Sequence, residues 1–247
     1  MPSDELFPTT RATWLLERIG DTGLAEFEAA TALREAREHV MRRYYEPLSA
    51  YLSATSYRDV DAPAALVAGF FVDRLGDDAY LVAWKSSGLP LRKWLVNGLL
   101  FWVRTEVRRR RRAIERESSW SMPADDAGVA ATEGDAPDAI FEREWARSIV
   151  TDACEVVQER LVAEGAADRW QLFRRHVLDG LSYDEVAREV ARERALDARE
   201  VRNACRVVRA RLEAALVDLL RAEGVRESDL AAEVARIQSH FTRGDGA

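Results

Sequence analysis

From Leu181 to Leu220 the apolar residues fall three and four apart, and two short motifs mark where helices begin. Val186, Ala187, Val190 and Ala191 form one stripe. Val201, Ala204, Cys205, Val208, Leu212, Ala215, Leu216 and Leu219 form a longer one. That period buries one face of an α-helix, whereas a strand needs strict alternation. Ser182 stands three residues before Glu185, and Asp197 three before Glu200; each pair is the sequence form of a capping box. The stretch therefore reads as two helices joined by a turn. Arg199, Arg202, Asn203, Arg206 and Arg209 lie mostly off the second stripe. Arg and Asn are the side chains that grip phosphates and bond base edges in a major groove. A helical hairpin with a merely solvated charged face fits the same residues, and this stretch alone leaves both open.

The same period extends through most of the chain. Leu33, Ala36, Val40, Tyr44, Leu48 and Leu52 predict a helix over 31–55, with Pro47 kinking or restarting it. Leu66, Val67, Phe70, Phe71 and Leu75 predict a second over 60–75, and 79–90 reads as a loop carrying Tyr80 and Trp84. Leu91, Trp94, Leu95, Leu99, Trp102, Val103 and Val107 predict a long helix over 91–112. Its closing run, Arg108–Arg112, suits a helix C-terminus on macrodipole grounds alone, and its aromatic residues, Phe101 included, read as core. Beyond 113–139, which is acidic and rich in small residues, helices are predicted over 140–164, 170–178 and 228–241. The expected fold class is all-α: two helical domains joined by an acidic flexible linker, the second containing a helix-turn-helix. The expected boundaries are 1–112, a linker over 113–139, 140–221, and a C-terminal helix and tail over 222–247.

Catalytic chemistry finds no foothold in this pattern. His39, His176 and His240 sit on separate predicted helices without metal or triad spacing, and there is no Gly-rich phosphate loop. The expectation is a non-enzyme with no cofactor and no metal. Cys154 and Cys205 form no CxxC motif, which fits a reducing cytoplasm. No apolar run approaches membrane-spanning length, and the N-terminus lacks the pattern of a signal peptide. The net charge of −7 argues against a general polyanion binder, but the charge is segregated. Residues 104–116 hold seven Arg against two Glu, 117–144 eight acids against one Arg, and 199–211 five Arg against one Glu. Two basic patches can bind DNA locally on an acidic chain.

The order of these pieces resembles the extracytoplasmic-function type of the RNA polymerase sigma-70 family over about residues 9–241. Thr9-Thr10-Arg11-x-x-Trp14 is similar to the opening of a long branch of that family. Arg42-Arg43-Tyr44-Tyr45-Glu46-Pro47-Leu48-Ser49-Ala50-Tyr51-Leu52 resembles the first helix of region 2, and Phe70-Phe71-x-x-Arg74-Leu75 the end of its core-binding helix. Leu91-Arg92-Lys93-Trp94-Leu95 with the following Arg run resembles the helix that reads the −10 element. Pro137-Asp138-x-x-Phe141-Glu142-Arg143-Glu144-Trp145-Ala146 is similar to the start of region 4, and Leu181-Ser182-Tyr183-Asp184-Glu185-Val186-Ala187 to its first helix-turn-helix helix.

The resemblance implies a promoter-specificity factor for transcription initiation. Its partners would be core RNA polymerase (the β′ clamp helices and the β flap) and promoter DNA, with an anti-sigma protein as a further partner and no membrane contact. Asp61, Phe70, Phe71, Asp73 and Arg74 would face the polymerase. Tyr80, Trp84, Arg92, Lys93, Asn97, Arg104 and Arg108 would hold the unwound −10 strand. Arg199, Arg202, Asn203, Arg206 and Arg209 would read the −35 groove. The chain departs from the family at Pro63–Gly69, which lacks the usual polar residues before the paired Phe, and at Arg192–Ala195, which lengthens the turn. Two alternatives stand beside this reading: a sigma-derived DNA-binding regulator that does not bind core polymerase, and a helical adaptor with no nucleic-acid role.

Overall fold

The computed structural model describes residues 26–117, 136–190 and 197–242. The apolar patch at Trp14–Ile19, most of the acidic linker and the turn at 191–196 lie outside the described residues. Among the described residues the chain is all-helical. The helices are α1 (Glu26–Ser53), α2 (Pro63–Phe70), α3 (Asp78–Ser87), α4 (Leu91–Glu117) and α5 (Pro137–Ala163). They continue with α6 (Ala167–Val177), α7 (Tyr183–Val190), α8 (Ala198–Ala222) and α9 (Leu230–Thr242). A π-helical turn, Phe71–Leu75, extends α2, and a 3-10 turn, Glu227–Asp229, leads into α9. None of these helices is long and apolar enough to cross a membrane.

Two compact units result. One joins the chain up to Ser148 with the chain from Leu220 onward; the other is Ile149–Leu219. The division falls inside α5 and α8, not in the linker and beyond Arg221 where the sequence places it. The reason is chemical: the first turns of α5 and the segment 220–236 carry the carboxylates and the indole that the buried arginines of the first unit require.

In the first unit the predicted face of α1 is core: Ala36, Val40, Tyr44, Leu48 and Leu52 are fully buried. Arg43 lies between them, and its side chain is only 1% exposed. It pairs with Glu223, which is equally buried. The other oxygen of that carboxylate accepts hydrogen bonds from the Tyr44 hydroxyl at 2.6 Å and the Trp145 indole N–H at 3.2 Å. Burial, with the Glu223 carboxylate next to it, raises the Tyr44 hydroxyl well above its ordinary range. The Glu223 carbonyl accepts from the Leu91 N–H at 2.8 Å, so one residue binds α1, α4 and α5. Gly224 follows at φ 78°, and a Cβ there would also come within 3.4 Å of the Leu89 carbonyl. Both facts favour glycine.

A second network involves α4, α5 and α9. Arg92 donates to Glu142 at 3.3 Å and to Glu233 at 2.5 Å, and its guanidinium lies 4.4 Å from the centre of the Trp145 ring. Burial works against its charge, but the two carboxylates outweigh that and raise its pKa. Arg236 bridges Glu142 at 2.9 Å and Glu233 at 2.6 Å. Below these networks, Phe70 packs edge-on against Tyr80 at 6.0 Å and Trp102 at 6.4 Å.

Pro47 does not restart the helix: α1 runs through it from Glu26 to Ser53. Proline lacks the N–H that would bond the carbonyl four residues back, which here belongs to Arg43. The Ser148 hydroxyl donates to that carbonyl at 3.2 Å and replaces the missing partner. The segment 79–90 is another difference. It is not a loop but helix α3, started by the Asp77 side chain, which accepts from the Ala79 N–H at 2.9 Å, and ended by Gly88 at φ 68°. Trp84, on α3, is buried, with its indole N–H on the Leu89 carbonyl at 2.8 Å.

In the second unit Ile149, Ala153, Val157 and Leu161 of α5 are buried, as are Trp170, Leu172 and Phe173 of α6. Val186 and Ala187 of α7 join Val201, Ala204, Cys205, Val208, Ala215, Leu216 and Leu219 of α8 in the core, while Val190 and Leu212 of the predicted stripes are half-buried and Ala191 lies outside the described residues. Gly165, after α5, and Gly180, before α7, both take positive φ.

Two stability predictions follow from the first unit. Glu223→Ala strands a buried guanidinium and lowers unfolding stability by about 3–5 kcal/mol, read from urea denaturation. His39 is buried near Arg43 and Arg42; burial first, then those cations, lower its pKa from 6.5 to about 3. The unfolded chain binds the proton that the folded chain refuses. Stability is therefore lost as pH falls from 6.5 toward 3, at about 1.4 kcal/mol per pH unit. Urea midpoints measured at stepped pH show this slope in the native protein, and His39→Leu flattens it.

Candidate nucleic-acid interface

The second unit builds its basic surface from two capped helices. At the start of α7 the Glu185 N–H donates to the Ser182 hydroxyl at 3.3 Å, and the Ser182 N–H donates to the Glu185 carboxylate at 2.8 Å. These bonds hold the Glu185 carboxyl below its usual range. At the start of α8 the Glu200 N–H donates to Asp197 at 2.8 Å, and the Asp197 N–H donates to Glu200 at 2.9 Å. Both capping boxes predicted from sequence are formed.

Asp197, Arg199, Glu200, Arg202, Asn203 and Arg206 line an open concavity of about 610 Å³ on the first turns of α8. Its two acids are turned onto backbone N–H groups by the cap. Its arginines face solvent, opposite the buried stripe. Arg206 donates to the Asn203 side-chain oxygen at 3.0 Å. Arg202 lies 5.3 Å from the centre of the Tyr183 ring, and that ring stacks on His176 at 4.0 Å. The His176 Nδ1 meets the Leu181 carbonyl at 2.8 Å, which requires the proton on Nδ1. Its Nε2 is then left to accept from Arg209 at 3.5 Å. This column from α6 through α7 to α8 orients two of the five predicted residues. Nothing in the sequence spacing of His176, Tyr183 and Arg202 signals it.

In the first unit the residues predicted for the −10 strand separate into two sets. Trp84 and Arg92 are buried, and Tyr80 is half-buried with its hydroxyl 3.5 Å from the Trp94 carbonyl. A Cβ at Gly98 would overlap that hydroxyl, so glycine makes room for Tyr80. These three side chains hold the fold. Lys93, Asn97, Arg104 and Arg108 are exposed on α4. At about 100° per residue they fall within one narrow face of the helix. Arg104 also donates to the Tyr57 hydroxyl at 3.3 Å. The Arg run is partly internal: Glu106 accepts from Arg109 and Arg110, which hold its carboxyl down to about 2, and Arg110 also pairs with Asp61 at 2.9 Å.

The residues predicted to face polymerase are also divided. Phe70 and Phe71 are core, at 0% and 5% exposure. Asp73 accepts from the Trp102 indole N–H at 2.8 Å, Asp61 pairs with Arg110, and Arg74 lies 5.9 Å from the centre of the Phe101 ring. Phe101 itself is 63% exposed, against the expectation of a core residue. Among the described residues no His, Cys, Asp or Glu group converges as a metal site requires.

No protein-family model, no curated protein and no solved structure matches this chain.

The cap at α8 generates a prediction that is independent of any ligand. Asp197→Ala removes the acceptor for the Glu200 N–H and lowers unfolding stability by about 1 kcal/mol. Urea denaturation with tryptophan fluorescence measures it.

Proposed function

We propose that this chain is a sigma-like promoter-specificity factor, acting by binding rather than catalysis and working in the cytoplasm with core RNA polymerase. The observation that carries the DNA half of this reading is the surface on the first turns of α8. Arg199, Arg202, Asn203 and Arg206 are exposed there on a helix whose start is fixed by a complete capping box. A helix that enters a major groove reads bases with its N-terminal residues, and Arg and Asn match the acceptor and donor patterns of guanine and adenine. The exposed stripe of Lys93, Asn97, Arg104 and Arg108 on α4 supports a second contact, to the promoter's −10 strand. The polymerase half rests on the ordered resemblance to sigma region 2 and region 4.

A specific observation favours a second reading, in which a sigma-derived regulator keeps the DNA contacts without core polymerase. Phe70 and Phe71 are buried, and Asp61 and Asp73 already have partners within the unit. That leaves few groups at 61–74 for a clamp-helix contact. Mixing the protein with core polymerase and a promoter library separates the two. Co-elution with core and promoter-directed initiation support the first; promoter-selective binding by the free protein, without co-elution, supports the second. Negligible DNA affinity at low salt overturns both in favour of an adaptor.

Within the DNA reading, Arg202→Ala and Arg206→Ala each weaken binding to a selected promoter duplex by about tenfold and flatten the log affinity–log salt slope by about one. Both leave polymerase binding unchanged. Fluorescence anisotropy over a salt series, next to a polymerase pull-down, measures both effects.

A further inference from the structure

A concavity of about 290 Å³ lies between the turn that joins α3 to α4 and the turn that joins α8 to α9, both within the first unit. Each turn contributes a glycine at positive φ, Gly88 at 68° and Gly224 at 78°, and the bond from the Leu91 N–H to the Glu223 carbonyl ties the two turns together. Arg92, Lys93, Arg226, Asp229 and Glu233 supply the charge of its wall. Both carboxylates are already engaged at both oxygens. Asp229 takes Arg226 at 2.9 Å on one oxygen and the Ser228 hydroxyl at 3.0 Å on the other. Glu233 takes Arg92 on one oxygen and Arg236 at 2.6 Å on the other. Lys93 is exposed and has no ion pair among the described residues. The Arg92 side chain is only 3% exposed; its Nε and Nη2 meet Glu142 and Glu233, but its Nη1 has no hydrogen-bond partner. Its backbone is in the same position. The Leu91 N–H goes to Glu223, and those of Lys93 and Trp94 go to the Pro90 carbonyl, which leaves the Arg92 N–H as the donor of this first turn without a backbone acceptor among the described residues.

We propose that this concavity binds a small molecule through one oxyanion, a carboxylate or a phosphate, held by Lys93 and Arg92 at the start of α4. A guanidinium N–H that is buried and unmet costs free energy, and an oxygen arriving from the concavity removes that cost. An oxyanion accepts from an ammonium, a guanidinium and a backbone N–H at once, and the first turn of a helix adds the positive end of its dipole. The charge count selects the same sign. Three cations and two carboxylates line the wall, and the carboxylates have internal partners, so one positive charge is left over at Lys93. The size selects the class: the volume is at the lower bound of small-molecule sites, which leaves no room for a polynucleotide strand or a partner helix. A ligand seated here touches residues 88–93 and 224–233 together, so it clamps the closure that Glu223 begins. The inference does not depend on the promoter reading.

The experiment titrates the full chain with sodium phosphate and, separately, with sodium acetate, at an ionic strength held constant with chloride. Amide chemical shifts in the nitrogen-15-labelled protein locate the binding, and the thermal unfolding midpoint reports its linkage to folding. The Arg92 and Lys93 amides shift saturably with a Kd of about 1 mM or below, within the ceiling for ligands of so few atoms, and the midpoint rises with the same anion. Saturation by phosphate alone points to a phosphate ester as the natural ligand, and by acetate alone to an organic acid. Lys93→Gln weakens the binding by about tenfold and leaves the midpoint in chloride unchanged, because the side chain is exposed. Arg202→Ala leaves the titration as it is in the native protein, which separates this site from the arginines of α8. The absence of saturable shifts with both anions, native-like affinity in Lys93→Gln, or loss of the binding in Arg202→Ala overturns the proposal.

Discussion

The carboxylate of Glu223 is the constraint on which the first unit turns. Removing an ion from water costs several kcal/mol, and a buried pair returns that only when every lone pair and N–H is met. Here the requirement is fulfilled by Arg43, Tyr44 and Trp145, drawn from two helices, while the backbone carbonyl of the same residue takes the first N–H of α4. Apolar packing alone tolerates rotation of one helix against another. A charge with three directional partners does not, so the network fixes which face of α1, α4 and α5 is inward. The Arg92–Glu142–Glu233–Arg236 group likewise ties α9 to α4 and α5 through paired charges, although the buried Arg92 Nη1 has no hydrogen-bond partner.

This use of charge explains what was legible in the sequence and what was not. Helical stripes and both capping boxes depend on residues within a few positions of each other; both boxes are formed and most stripe positions are buried among the described residues. Arg92 depends on Glu233, 141 positions away, and no local pattern distinguishes an arginine awaiting a buried carboxylate from one awaiting a phosphate. The same holds for Trp84, whose partner carbonyl exists only because α3 forms and ends at Gly88. Phe101 fails in the opposite sense: its spacing is that of a core residue, but the buried arc of α4 is centred on Leu95, Leu99 and Trp102, and Phe101 lies outside it. The candidate site on α8 was readable because caps and periodicity settle its exposed face together. The α4 site was half readable, since exposure there is decided by what packs on the helix from elsewhere in the chain.

The molecule thus divides its cations by environment. Arg43 and Arg92 are structural, withdrawn from solvent and paired. Those on the first turns of α8 and along one face of α4 remain outside, exposed to solvent, on a chain whose net charge is −7. Within the Arg run of α4, Glu106 and Asp61 draw Arg109 and Arg110 to one side and leave Arg104 and Arg108 on the other. A count of arginines overstates the exposed basic surface; the partners of each arginine define it.

Because the unit that begins with α1 is completed by Glu223 and Glu233, the order of synthesis matters. On a ribosome Arg43, Arg92 and Trp145 emerge well before the carboxylates they are built around, with the whole of Ile149–Leu219 made in between. The second unit is contiguous and can condense as soon as it leaves the exit tunnel, while the earlier-made helices wait for a long-range closure that is entropically slow. The first unit to be translated is therefore the last to be finished. Until then it is a half-built core with ionised arginines where its interior will be.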